Sequence, residues 1–81
     1  MRTARIELAV GPQSDVPISV KIYDVRGTLV RALWSGRAAE APGVVHWDGR
    51  NEDGSRVSAG VYFARLTTPS VQSERKIQLI R

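Results

Sequence analysis

Apolar and polar residues alternate with a period of two along most of this chain. Ile6, Leu8 and Val10 alternate with Arg5, Glu7 and Ala9, and Ile18, Val20 and Ile22 with Ser19, Lys21 and Tyr23. Such alternation marks strands buried on one face. Gly11 to Asp15 interrupts it with turn-forming residues. Asp24-Val25-Arg26-Gly27 fits a type I turn, with Asp capping backbone N–H groups and Gly27 accepting a positive φ. Leu29 to Trp34 then returns as the second arm of a hairpin. Val30 and Leu33 are three apart, so a bulge is expected if both are buried. Ser35 to Gly43 reads as a small-residue loop, too short and too glycine-flanked for a stable helix.

Val45 and Trp47 alternate with Val44, His46 and Asp48, followed by a polar turn from Asp48 to Gly54 and a short stretch around Val57. Val61 to Thr67 is apolar on both faces, with Tyr62, Ala64 and Leu66 set against Val61 and Phe63. That pattern suits a central strand. After Thr68-Pro69-Ser70, Gln72 to Arg81 forms the last strand, with Ile77 and Leu79 inward. Six or seven short strands with turns every 8–12 residues or so, and no segment of helical period, predict an all-β fold. The expected architecture is an antiparallel β-sandwich of about seven strands, of immunoglobulin or fibronectin III type.

The chain has 81 residues, enough for one small domain spanning 1–81. A domain this short buries only about 60–65% of the surface its unfolded chain exposes, so the core must be nearly complete. The expected core is Trp47, the anchor between sheets, with Ile22, Val45, Tyr62 and Leu66. Tyr62 is placed to bury its ring and return its hydroxyl to backbone. Gly27, Gly49, Gly54 and Gly60 are expected at turns needing positive φ or close backbone approach. Without cysteine, neither a disulfide nor a thiolate metal site holds the fold. The apolar run at Val61 to Phe63 falls far short of the ~20 residues of a membrane helix, and no membrane insertion is expected.

The formal charge is +4, from ten Arg and two Lys against eight acids. The arginines are scattered rather than clustered among aromatics, so nucleic-acid binding is not expected. The densest basic point is Arg75-Lys76, beside Glu74. Asp48, Asn51, Asp53 and Gly54 suggest a calcium loop, but an EF-hand spacing puts Gly49 and Gly60 where ligands belong. The expected reading is an Asx-capped turn. His46 and Asp48 share a strand face without a positioned serine or oxyanion hole, so no catalytic residue, metal or cofactor is expected. Trp34 reads as core or as an exposed aromatic for a sugar or partner.

Three blocks, VKIYDVRGTLVRAL (20–33), WDGRNEDGSRVSAGVYFARL (47–66) and ERKIQLIR (74–81), resemble the FlgD-type immunoglobulin-like domain and the related C-terminal sorting domains of type IX secretion cargo. The resemblance covers Ile18 to Arg81, with the blocks in the family's order. It implies a small β-sandwich without enzymatic activity, carried by a secreted or surface protein or by the flagellar hook cap. No Asn-Pro-rich segment, which opens many sorting domains, precedes Ile6, so a hook-cap-like branch or a shortened first block is expected. The function this implies is protein–protein recognition, as a C-terminal sorting or anchoring module of a secreted bacterial protein. The alternatives are a self-assembling structural subunit and a carbohydrate-binding accessory domain. Partners would be secretion machinery, other domains of the parent chain, or copies of itself as a homo-oligomer. The location would be extracellular or cell-surface, the export signal lying on a longer parent chain. The candidate partner surface is Arg75, Lys76, Ile80 and Arg81, on a last strand expected at a sheet edge.

Overall fold

The alternation at Ile18, Val20 and Ile22 becomes a strand whose three isoleucine and valine side chains are buried while its other positions are not. In the computed structural model, residues 15–80 are described in full and residues 6–9 by backbone alone. The break over 11–14, the inward side chains expected of Ile6, Leu8 and Val10, and Arg81 lie outside the described residues. Six strands follow in order: β1 (Ile6–Ala9), β2 (Pro17–Tyr23), β3 (Leu29–Arg37), β4 (Val44–Trp47), β5 (Gly60–Thr67) and β6 (Gln72–Leu79). A four-stranded sheet runs β3-β2-β5-β6 and a two-stranded sheet pairs β1 with β4, all antiparallel. Beside the short stretch around Val57, a single bridge joins Arg50 and Arg56.

The Asp24–Gly27 turn closes the first hairpin. Gly27 N–H donates to Asp24 O at 3.0 Å, and the Asp24 carboxylate accepts from the N–H groups of Arg26 (2.9 Å) and Thr28 (3.0 Å). Gly27 has φ +84°, a conformation that costs an L side chain about 1–2 kcal/mol. Gly49, Gly54 and Gly60 also have positive φ. Strand β3 continues to Arg37, three residues beyond the expected Trp34, and Ala38–Glu40 adds one 3-10 turn instead of an irregular loop. The register of β3 against β2 slips at Leu33 and at Val30. Both slips are bulges that turn an apolar residue toward the interior: Val30 is buried and Leu33 half-buried.

The core is built where the small sheet meets the large one. Trp47, Val45, Val20, Ile22, Val30, Tyr62, Ala64, Ile77 and Leu79 form one cluster, against which Leu33, Trp34, Val57 and Leu66 pack. Trp47 is 0% exposed and meets Tyr62 edge-on, with ring centroids 5.1 Å apart, a favoured aromatic geometry. The Tyr62 hydroxyl donates to Ser58 O at 2.7 Å. Leu66, expected fully inward, is only half-buried. Its cross-strand neighbour Val20 is buried, and Leu66 packs against the edge of the cluster. Trp34 is half-buried too; its ring lies against Gly36, where an added Cβ would meet Trp34 Cη2 at 3.0 Å.

At the end of β3, the Arg37 guanidinium binds the Asp15 carboxylate at 3.1 Å and Asp15 O at 3.1 Å. This hydrogen-bonded guanidinium, aided by Ala39 N–H, holds the Asp15 carboxyl below the usual carboxylate range. A depressed folded-state pKa stabilises the fold above the unfolded value, near ~3.9, and that contribution is lost as pH falls through the folded value. Asp15→Asn is expected to flatten the loss of melting temperature below about pH 4 without altering it at pH 7 by more than an exposed ion pair allows. An unchanged acid limb would show that Asp15 carries none of it. Truncating Trp47 to Ala is expected to cost about 3–5 kcal/mol in a denaturant melt, a large share of the stability of a small domain. A loss below about 1 kcal/mol would remove Trp47 from the role of anchor.

Candidate interaction surface

Unpaired N–H and C=O groups along an edge strand invite another strand to pair. The four-stranded sheet has two edges, β3 and β6, and the chain treats them differently. Along β3 the polar turn after Trp47 folds back as a guard. Glu52 N–H donates to Val30 O at 3.1 Å, and the Glu52 carboxylate accepts from Ala32 N–H at 2.6 Å. Arg31 Nη1 donates to Asn51 O at 3.3 Å. One residue thus satisfies an acceptor and a donor of the edge.

The guard is held from inside and from within. Trp47 Nε1–H donates to Arg50 O at 2.9 Å, anchoring the turn to the core. The Asn51 side-chain oxygen accepts from Asp53 N–H and Ser55 N–H, both at 3.0 Å. The Asp48 carboxylate accepts from Arg50 N–H at 3.1 Å and lies 3.7 Å from the Arg50 guanidinium. The polar groups that resemble calcium ligands therefore organise the turn, as in an Asx cap. His46 is exposed on β4, and the Asp48 carboxylate binds Arg50.

Strand β6 lacks a comparable guard among the described residues. Only Ile77 and Leu79 are buried; Gln72 to Lys76 are exposed on both faces. Arg75 pairs across the sheet with Ala64, and Lys76 with Phe63. Cross-strand partners share a face, so these adjacent cations project to opposite faces and do not form one basic patch. Arg75 lies on the face of Ile77 and Leu79, and Lys76 on the outer face. Glu74 on that outer face is bound by Arg65 at 2.9 Å, and Arg65 also stacks over Tyr23 with its guanidinium carbon 4.2 Å from the ring centroid. Ile80, just past β6, is 73% exposed. Arg81, the fourth expected surface residue, lies outside the described residues.

Sequence reading missed Glu52. Its partners lie twenty residues away in the chain, and nothing in a polar turn announces which carboxylate meets an edge amide. Glu52→Ala is expected to cost about 1 kcal/mol of stability and to increase concentration-dependent self-association through the exposed β3 edge. Sedimentation velocity over a protein dilution series measures this; association unchanged from the parent chain would mean the edge is protected by something else.

No curated protein and no solved structure matches the chain. The family described as the FlgD Ig-like domain matches residues 2–71, ending one residue before β6. That span includes the hairpin turn, the Trp47 anchor, the edge guard and the whole of β5. The match covers most of the chain, and the chain belongs to the FlgD Ig-like domain family, a non-catalytic family of structural and interaction modules.

Proposed function

We propose that this domain is a protein–protein recognition module and that it works through the β6 edge, as the C-terminal sorting or anchoring domain of a secreted bacterial protein. The observation that carries the reading is the asymmetry of the large sheet: β3 is guarded by Glu52, whereas the first half of β6 is exposed on both faces. Strand addition to an exposed edge is a common mode of protein recognition, with main-chain hydrogen bonds supplying affinity and side chains supplying choice. On this reading the domain acts outside the cell or at its surface, and export machinery reads β6. The exposed Ile80 and the cations Arg75 and Lys76 flank or lie within the strand that is read. Trp34 does not favour a sugar-binding reading, because its half-buried ring is applied to Gly36.

A second reading, a structural subunit that assembles with copies of itself or with sibling domains, is favoured by the family match. The guarded β3 edge argues against assembly by continuous extension of the large sheet, since a β6 edge arriving there meets Glu52 on Val30 and Ala32. Other faces remain open to such assembly.

The test attaches the domain to the C-terminus of an exported reporter in the bacterium that makes this chain and measures reporter at the cell surface. Arg75→Glu with Lys76→Glu is expected to leave the melting temperature nearly unchanged, since both side chains are exposed, and to lower surface delivery several-fold. Delivery equal to that of the parent chain would overturn the β6 reading. Absence of delivery with either chain, accompanied by discrete oligomers in sedimentation, would replace sorting with assembly.

A further inference from the structure

Resting on the β6 reading above, the charges of the strand define what it accepts. We infer that the β6 edge takes an extended acidic segment of a partner protein, added antiparallel as a fifth strand of the large sheet, with two consecutive acidic residues opposite Arg75 and Lys76.

Charge weighs against a second copy of the chain as the occupant. If two β6 strands joined two large sheets about a two-fold axis perpendicular to them, paired residues would have to share a face. Glu74, Arg75 and Lys76 alternate between faces along β6, so each such register centred on this block puts one residue opposite its own copy. The pair at the axis is then Glu74 with Glu74, Arg75 with Arg75, or Lys76 with Lys76; the Arg75-centred register also sets Glu74 opposite Lys76, but Glu74 is already bound by Arg65 and Arg75 is left facing its own copy, so a copy never meets both cations with acids. Like charges directly opposite each other are destabilising in an antiparallel pair, and edge cations are a common device against self-pairing.

The cations left without an ion pair select the partner's charge and spacing. Glu74 is bound by Arg65 on β5; among the described residues no ion pair engages Arg75 or Lys76. On the outer face, Lys21, Arg65 and Glu74 occupy one cross-strand row and Lys76 ends the next, leaving that face net positive. Arg75 supplies a cation on the opposite face. A partner strand whose neighbouring residues are both acidic would meet both cations, one on each face, because successive side chains of a strand point in opposite directions. Acids two apart lie on one face and meet only one. The cations that repel a second copy thus set sign and register for an acidic strand.

The experiment titrates the isotopically labelled 81-residue domain with three synthetic Thr- and Val-rich peptides and follows backbone amide shifts by NMR. One peptide carries adjacent glutamates, the second glutamates two apart, and the third adjacent lysines. The adjacent-glutamate peptide is expected to shift amides of Glu74 to Gln78 and to bind about fivefold or more tightly than the other two, less so as salt is raised. In Arg75→Glu with Lys76→Glu, whose fold is checked by the near-ultraviolet signal of its packed aromatic side chains, the preference should pass to the lysine peptide. Equal binding of all three peptides at β6 would overturn the acidic-pair inference while leaving the edge reading standing. Shifts confined to another surface, or no shift with any peptide, would overturn both.

Discussion

The hydrogen bond from the Trp47 indole to Arg50 O at 2.9 Å joins the two parts of this domain that matter most. A buried indole N–H without an acceptor is costly, so the chain leaving β4 must bring a carbonyl back to it. That requirement sets the start of the polar turn, and the turn then delivers Glu52 to β3. The same ring fills the space between sheets against Tyr62, whose hydroxyl in turn fixes Ser58 ahead of β5. Core and edge are consequently coupled: the residue that holds the sheets together also positions the group that closes one side.

Much of this was legible in residue order. Period-two alternation identified β2 and β4, a stretch apolar on both faces identified β5, and the buried faces of Ile18, Val20, Ile22, Val45 and Trp47 follow from alternation directly. The Asp24–Gly27 turn was readable because its hydrogen bonds are local. The length of β3 was not, since Ser35, Gly36 and Arg37 are poor strand signals; their place in the sheet comes from pairing with Pro17, Ile18 and Ser19. Leu66 illustrates a different limit. Alternation assigns it a face shared with buried Val20, but the degree of burial depends on what packs above that face, which is a tertiary fact.

The candidate surface was legible in part. A terminal strand with Ile77 and Leu79 inward and charges ahead of them suggested an exposed edge, and β6 has that position. The opposite projection of Arg75 and Lys76 follows from strand geometry alone, yet their adjacency in sequence reads as a single patch. The difference between the edges was hidden, because it rests on a carboxylate meeting a backbone amide at long range.

The guard on β3 is one carboxylate and one amide, whereas many proteins cover an edge with a whole strand or helix. This makes edge protection an evolutionarily cheap trait. A single base change turns a Glu codon into a Lys codon, replacing the acceptor for Ala32 N–H with a side chain that can only donate. Such a change leaves the core around Trp47 untouched, so loss of the guard would be written in a loop that an inspection of core residues passes over.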